Sequence, residues 1–356
     1  CKLLNLEFKS SSLRKLMSVY YFETDPNNTK KLGLLGLIDK GDMNISKAYE
    51  KITTVKNKDD EEEEIERLNY ERKTVDVDYK LFAKSSIDLS DIPSNSVRLA
   101  TDSPPYWRIL DYENQDEMLH GWEKTKEEYI ENEVRFRREI KRVLEPNGVM
   151  VVIIGETYRD GYQGICRRLE TALEDDGWRI IDPIVWVKSN PNPHPVDDHF
   201  IPGSERIIVC CKSKDEKPIF HKLTKPSADG KKGLKKSNKS KDGTQNYYYS
   251  NGLSCITNVF KTAGCNKAHF KKIDPNYDHP APAPMEIYEP FIKAYTNPGD
   301  TVLDIFCGSG QGLEVGLRHG CNVIGYDIDP VNINFCQKRL DIVLDERRGY
   351  ELQMAA

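Results

Sequence analysis

The chain has 356 residues, of which 38% are hydrophobic and 31% charged, enough for one large domain with an appendage or for two domains. Its formal net charge of −5 gives no overall basic signature for nucleic acid, so the charge must be followed along the chain. The longest apolar run, GVMVVIIG at 148–155, falls well short of the ~20 residues of a membrane span, which argues against a membrane partner. The nine cysteines form no CxxC pair and no Cys/His cluster typical of a metal site, as expected for reduced thiols in a cytosolic or nuclear protein.

Residues 1–72 differ in character from the rest of the chain. They contain short helix-like segments and the charge run KNKDDEEEEIER at 56–67. Such an acidic run is usually a solvated face or a linker. The alternative is a helical appendage that makes dimer or target contacts.

From residue 73 onward, predicted strands alternate with predicted helices. Strands are indicated at 78–86, 96–103, 149–156, 178–189, 204–213, 301–306 and 322–329. Helices are indicated at 118–148, 162–177, 285–296 and 313–320. The alternation predicts an α/β domain with a mostly parallel, twisted sheet flanked by helices.

Residues 212–272 interrupt this alternation. Between Lys212 and Lys241 there are 11 lysines against three acids, Asp215, Glu216 and Asp229. The segment is either a solvated loop or an insert that lies along a phosphate backbone. The tyrosines at 247–249 that follow it either stack on bases or form one more half-buried strand.

The segment TVLDIFCGSGQG at 301–312 indicates a strand, a glycine-rich turn and a helix. Gly308 and Gly310 allow the backbone to approach a ligand closely, and the helix start offers free N–H groups. Asp327 ends the next predicted strand, where an acidic residue commonly binds ribose hydroxyls. The pattern favours a nucleoside cofactor over a turn that serves packing alone.

TDSPPYW at 101–107 places two prolines between a carboxylate, a hydroxyl and two aromatic rings. Followed by HPAPAP at 279–284 and DIFCGSG at 304–310, it resembles the beta class of DNA amino-methyltransferases that use S-adenosylmethionine. In that class the S/D/N-PP-Y/F catalytic motif comes first and the F-x-G-x-G cofactor motif last, with target recognition between them. The resemblance covers residues 75–345 and implies a Rossmann-like fold with circularly permuted motif order.

The resemblance also implies a division of the chain. We expect an appendage at 1–72, a catalytic half at 73–220, a target-recognition insert at 221–278, a cofactor-binding half at 279–345 and a tail at 346–356.

By the same resemblance, each motif residue acquires an expected role. The cofactor S-adenosylmethionine is expected to contact Asp304, Phe306, Gly308 and Gly310, with Asp327 at the ribose and the segment from Pro282 to Pro284 over the methionine end. Where family members often carry an acidic residue near the cofactor's adenine, this chain has Lys84, Ser85 and Ser86, so Ser85 is the candidate contact. The target pocket is expected to comprise Ser103, Pro104, Pro105 and Tyr106, with Asp102, Trp107, Lys188 and Asn190 as further substrate contacts.

The chemistry explains these residue types. The lone pair of an exocyclic base amine is conjugated into the ring, so acceptors on its two hydrogens make the nitrogen a better nucleophile. The Ser103 hydroxyl and the Pro104 carbonyl are suited to this, and Tyr106 offers a face for a base flipped out of the duplex. The chain contains no Pro-Cys dipeptide, so no cysteine nucleophile is expected.

The identity of the methylated base depends on one position. In the resembled family, serine before the prolines tends to accompany cytosine N4, and Asp or Asn tends to accompany adenine N6. Ser103 therefore favours cytosine, unless a shifted turn brings Asp102 to the amine. The rival functions are an adenine-N6 enzyme, an RNA or protein-amide methyltransferase, and an inactive DNA-binding module. The expected partner is double-stranded DNA, in the cytoplasm of a bacterium or the nucleus of a eukaryote. A homodimer and a cognate restriction enzyme are further partners that the resemblance raises.

Overall fold

The structure is a computed structural model that describes residues 10–26, 31–40, 43–109, 120–191, 198–227, 232–236, 247–251 and 253–355. The chain forms two compact units. One unit comprises Cys1–Arg67 and Thr224–Ile256, and the other comprises Leu68–Leu223 and Thr257–Ala356. Within the described residues, we find no helix that combines the length and apolar character needed to cross a membrane.

The first unit contains helices and short strands. The helices are α1 (Ser10–Thr24), α2 (Leu34–Asp39) and the part of α3 (Ile45–Thr74) up to Arg67. A small core includes Val19, Leu34, Ala48 and Ile52. The acidic run at 56–67 lies inside α3, so the linker interpretation was wrong and the run is helical. Contacts of this region with a target or a second copy remain a prediction.

Four short strands of the first unit come from the predicted insert. They are β6 (Thr224–Pro226), β7 (Lys232–Lys236), β8 (Tyr247–Asn251) and β9 (Leu253–Cys255), paired antiparallel as β6 with β9 and β7 with β8. The tyrosines at 247–249 thus belong to a strand. The side chains of 228–252 lie outside the described residues, so base stacking stays a prediction.

The second unit is built on an eight-stranded sheet of order β1-β12-β11-β2-β3-β5-β4-β10. The strand bounds are β1 (Tyr79–Ala83), β2 (Val97–Asp102), β3 (Leu144–Ile154), β4 (Arg179–Lys188), β5 (Ser204–Cys211), β10 (Val259–Thr262), β11 (Thr301–Asp304) and β12 (Asn322–Asp327). Among these described strands, only β5 runs antiparallel to its neighbours. The prediction of a mostly parallel α/β sheet is confirmed.

Helices cover both faces of this sheet. Their bounds are α4 (Lys126–Val143), α5 (Ile165–Asp175), α6 (Phe270–Ile273), α7 (Met285–Tyr295), α8 (Gln311–Arg318) and α9 (Pro330–Ala355). Successive β3 side chains alternate between two cores. Val149, Val151 and Ile153 pack with residues of α7, α8 and α9, whereas the residues between them pack with α4 and α5. A strand buried on both faces accounts for the continuous apolar run read from the sequence.

Several boundaries differ from those predicted. A capping box of Thr125 and Glu128 starts α4, and β3 begins at Leu144, four residues before the predicted helix end. The insert is narrower than 221–278, because 257–278 belong to the sheet unit and β10 pairs with β4. Residues 346–355 continue α9 and are not a separate tail.

Candidate active site

A cavity of about 1190 Å³ lies at the edge of the sheet where the parallel strands end. Strands β2 and β11 are adjacent and parallel, with Ala100 opposite Leu303. The segments that follow them, which contain the SPPY and CGSG motifs, therefore meet at this edge although about two hundred residues separate them. We call residues 103–106 the target turn and residues 307–310 the glycine turn.

Eleven of the sixteen predicted site residues line the cavity. They are Ser85, Ser103, Pro104, Pro105, Tyr106, Lys188, Asn190, Pro282, Phe306, Gly308 and Asp327. The structure thus brings the predicted target pocket and most of the predicted cofactor contacts into one space.

Tyr106 occupies a tightly defined position in the target turn. Its hydroxyl donates to Glu205 Oε2 at 2.7 Å, and Ser103 Oγ lies 3.5 Å from the same hydroxyl. A Cβ added to Gly155 would lie 2.5 Å from Tyr106 Cε2, so only glycine leaves room for the ring there. Burial and then the charge of Glu205 raise the pKa of Tyr106 well above its usual range, so the phenol keeps its proton.

The backbone of the target turn is held by contacts from outside it. The Tyr129 hydroxyl donates to the Pro105 carbonyl at 3.1 Å, and Thr157 Oγ1 donates to the Trp107 carbonyl at 2.7 Å. Gly121, at a φ of 97°, packs so closely on Pro105 that an added Cβ would lie 2.9 Å from its Cβ. These contacts fix the direction in which Ser103 and Tyr106 leave β2.

Asp102 points away from the cavity. Its Oδ1 accepts from Arg137 at 2.8 Å, and both side chains are buried. Burial raises the pKa of Asp102 to about 7, although the Arg137 guanidinium acts to lower it. Asp102 is thus paired with Arg137 in the interior and does not line the cavity, and its contact with substrate stays an untested prediction.

Arg137 also pairs with Glu133, which extends the buried network to His120 on the cavity wall. The His120 ring stacks on Phe306, with centroids 5.6 Å apart, and Nδ1 lies 2.9 Å from Glu123 Oε1. Burial acts to lower the pKa of His120, but Glu133 and Glu123 outweigh it and raise the pKa to about 9. An imidazolium between two carboxylates thus lies behind the ring of Phe306.

The glycine turn is held by two carboxylates. The Gly308 amide donates to Asp327 Oδ2 at 2.9 Å, and the Phe306 amide donates to Asp304 Oδ1 at 3.1 Å. Burial raises the pKa of both acids, most strongly for Asp304, where the charge of Asp102 adds to it. Asp327 lines the cavity, whereas Asp304 lies behind the wall and orders the turn.

His279, directly before the PAPAP segment, covers the glycine turn. A Cβ on Gly308 would lie 2.8 Å from His279 Nε2, and Gly308 has a φ of 48°. Burial lowers the pKa of His279 to about 4, so the imidazole is neutral. Its buried Nδ1 has no hydrogen-bond partner within the described residues, so the wall offers a polar atom to a ligand.

In addition to Asp102, four predicted site residues do not line the cavity: Trp107, Pro284, Gly310 and Asp304. Trp107 is a core residue whose indole donates to the Glu123 carbonyl at 3.1 Å. Pro284 is buried at the start of α7, and Gly310 packs so closely that an added Cβ would lie 2.7 Å from Cys336 Sγ. With Asp304, these residues support the wall and do not form it.

The cavity wall also contains residues that the motifs did not indicate. Among them are the ionisable residues Glu205, His120, Glu156 and His279. The Glu156 carboxylate accepts from the amides of Thr157 and Ile165 and so begins α5. His279 had a signal in the sequence, since it opens the HPAPAP segment, whereas no motif gave Glu205 a role.

Comparison with known proteins identifies the class. Residues 97–338, which are 242 of the 356, match the N6/N4 methyltransferase family, described as DNA methylase. The protein belongs to this family and is a DNA amino-methyltransferase that uses S-adenosylmethionine.

Two similar proteins are the type II methyltransferases M.XycI of Xanthomonas campestris pv. cyanopsidis and M.Cfr9I of Citrobacter freundii. They are 29% and 28% identical to this chain over 71% of its length and 84% of theirs. A solved structure, the PvuII DNA methyltransferase described as cytosine-N4-specific, aligns with 78% of this chain and 94% of its own. Its TM-score is 0.57 at 18% identity, a likeness of fold.

The cavity has the features that S-adenosylmethionine requires at the glycine end. At Gly308 the glycine turn approaches the space without a side chain, and the Asp327 carboxylate lines the same space. His279 Nδ1 has no hydrogen-bond partner among the described residues. A carboxylate with two oxygens still has lone pairs for ribose hydroxyls after accepting from backbone amides. The residues present therefore fit this cofactor.

Proposed function

We propose that the protein methylates the N4 amine of a cytosine flipped out of a specific site in double-stranded DNA. The observation that carries the proposal is the register of the target turn. Ser103 faces the cavity, whereas Asp102, the residue that would favour adenine, is paired with buried Arg137. Serine at this position tends to accompany cytosine N4 in the family that the sequence resembles.

In this proposal the glycine end of the cavity holds S-adenosylmethionine, which supplies an electrophilic methyl group on its sulfonium. Asp327 accepts the ribose hydroxyls, and Phe306, Gly308 and Pro282 enclose the rest of the cofactor. Ser85 stands at the adenine end, since its hydroxyl is exposed and accepts only the Ile87 amide among the described residues. Chain order, with the target turn before the glycine turn, supports assignment to the beta class.

The target turn acts on the amine through acceptors. Ser103 Oγ and the Pro104 carbonyl accept hydrogen bonds from the two N–H groups of the amine. These bonds favour a pyramidal nitrogen whose lone pair is free to react. Tyr106 packs against the base, and its fixed ring limits the orientations that the base can take. The preorganised acceptors lower the barrier without a covalent intermediate.

Site specificity is part of the proposal because the similar proteins are described as type II methyltransferases. The lysine-rich segment that begins at Lys212 supplies positive charge for the phosphate backbone. Base readout is assigned to side chains within 212–278. A cognate restriction enzyme is the corresponding partner.

The test is the identity of the methylated product. The protein is incubated with radiolabelled S-adenosylmethionine and mixed-sequence duplex DNA, and the DNA is digested to nucleosides. Label in 4-methyldeoxycytidine is the expected result. Label in 6-methyladenine would show that the target is adenine and would contradict the proposed base. Label in an RNA control but not in DNA would overturn the proposed function.

A further inference from the structure

Glu205 joins two cavity residues that come from different elements. It lies near the start of β5, the antiparallel strand, and thus at the same edge as the ends of the parallel strands. Its Oε2 accepts from the Tyr106 hydroxyl at 2.7 Å, and its Oε1 pairs with Lys188 Nζ. The Glu205 side chain is 10% exposed, so these two partners replace most of its solvent.

Tyr106 depends on Glu205 for its orientation. Gly155 supports the ring from one side, but a flat contact leaves the ring free to tilt and slide. The hydrogen bond to Glu205 fixes the far end of the side chain, and Ser103 Oγ lies 3.5 Å from that same hydroxyl. A bond from a neutral donor to a carboxylate is stronger than one between neutral groups, so it can hold this position.

Lys188 has a different relation to Glu205. Its ammonium lies 5.3 Å from the centre of the Trp186 ring. The Trp186 indole N–H in turn donates a hydrogen bond to Thr262 Oγ1 at 2.8 Å. Lys188 therefore has a contact that does not depend on Glu205.

We propose that Glu205 is a positioning residue for methyl transfer, which acts by fixing the Tyr106 hydroxyl and through it the face that the target base meets. The inference rests on the proposed function of the target turn and adds a residue that touches neither the base nor the cofactor in that scheme. It makes a specific claim: the effect of Glu205 on the reaction passes through the Tyr106 hydroxyl and not through Lys188.

The test is a double-mutant cycle on the full chain. Single-turnover rates of methyl transfer to duplex DNA are measured for wild type, Glu205→Gln, Tyr106→Phe and the double variant, together with the Kd for S-adenosylmethionine. Glu205→Gln is expected to slow transfer about tenfold with the Kd unchanged, since the hydrogen bond from Tyr106 loses its charged acceptor. In the Tyr106→Phe background the same substitution is expected to slow transfer less than about twofold.

Two further variants locate the effect. In a Lys188→Met background, Glu205→Gln should still slow transfer about tenfold. Glu170→Gln is the matched control, because Glu170 pairs with Arg206, the neighbour of Glu205, at 3.0 Å and does not line the cavity. Its rate should equal that of wild type.

The inference would be overturned if Glu205→Gln slowed transfer equally in wild type and in the Tyr106→Phe background, or if the slowing disappeared with Lys188→Met. Formation of 6-methyladenine by wild type would contradict the proposed base, but the same rate ratios would still test the role of Glu205. If wild type methylated no DNA, the proposed function would fail. The same four proteins would then be compared by their free energies of unfolding in urea. Additive losses of stability would then contradict the Glu205–Tyr106 contact itself.

Discussion

The target turn and the glycine turn are held in place in different ways. The target turn depends on residues from elsewhere in the chain: the Tyr129 hydroxyl contacts its backbone, Glu205 accepts from the Tyr106 hydroxyl, and Gly155 leaves room for the Tyr106 ring. The glycine turn depends on backbone amides: that of Gly308 donates to Asp327 at the end of β12, and that of Phe306, just before the turn, donates to Asp304 at the end of β11. The difference teaches that the reacting end is adjustable by single side chains, whereas the cofactor end is set by backbone geometry that glycine makes available.

Gly155→Ala tests the support of the target turn and should have the largest effect. Its Cβ would lie 2.5 Å from the Tyr106 ring and displace it, which should slow single-turnover methyl transfer about a hundredfold. The Kd for S-adenosylmethionine should stay near that of wild type. Gly203→Ala is the control, since its nearest atom lies at 3.9 Å, and comparable slowing there would argue against a specific contact.

His120→Gln tests the buried network between the two turns through the pH dependence of stability. The pKa of His120 is raised to about 9 in the fold, so its stabilisation is complete below its ordinary value of 6.5 and is lost as the pH rises through 9. The contribution is about 3 kcal/mol at most. Urea unfolding between pH 6.5 and 9 should show stability falling in wild type and a flatter profile in the variant.

His319→Gln is the control for that experiment. Burial lowers the pKa of His319 to about 4, so this residue is neutral across the window and its removal should leave the slope intact. An unchanged slope in His120→Gln would contradict the charge assigned to that imidazole.

Gly308→Ala tests the glycine turn. The added Cβ would meet His279 at 2.8 Å in a left-handed conformation, which should weaken S-adenosylmethionine binding about tenfold by calorimetry. Gly33→Ala carries similar strain at a φ of 67° with nothing within 4 Å, so it should lose stability without losing affinity. Equal affinities in Gly308→Ala and wild type would count against this site.

Tyr129→Phe, which tests the backbone contact of the target turn, should have the smallest effect on the rate of methyl transfer. It removes one hydrogen bond to the Pro105 carbonyl, worth about 1 kcal/mol, and should slow transfer about fivefold. Tyr79→Phe removes a bond to Asp341 away from the cavity and should leave the rate unchanged. Identical rates in both variants would show that the Pro105 contact does not order the turn.

The sequence predicted the parts of the site that follow parallel strands. Ser103, Gly308 and Asp327 each lie at or near the end of a run that reads as a strand, and parallel neighbours bring these ends together. Glu205 could not be found this way, because it starts a strand whose antiparallel direction is set by tertiary pairing and leaves no mark in the sequence. Tertiary pairing also explains why β10 belongs to the sheet and not to the predicted insert, since it pairs in parallel with β4.

Motif spacing also did not separate residues that face the cavity from those behind it. Asp102 and Ser103 are neighbours in one motif, yet a buried arginine on α4 draws the first away. Asp304 and Gly310 bracket residues that line the cavity but are themselves buried against the core. Such choices depend on partners distant in sequence, such as Arg137 and Cys336.

The most direct test of the account is Ser103→Ala, measured for both transfer rate and cofactor affinity. If Ser103 accepts the target amine, the single-turnover rate should fall about a hundredfold, the cost of losing one preorganised polar contact in the transition state. The Kd for S-adenosylmethionine should change less than about twofold, because Ser103 belongs to the target turn. A rate like that of wild type, or equal losses of rate and affinity, would contradict the role assigned to Ser103.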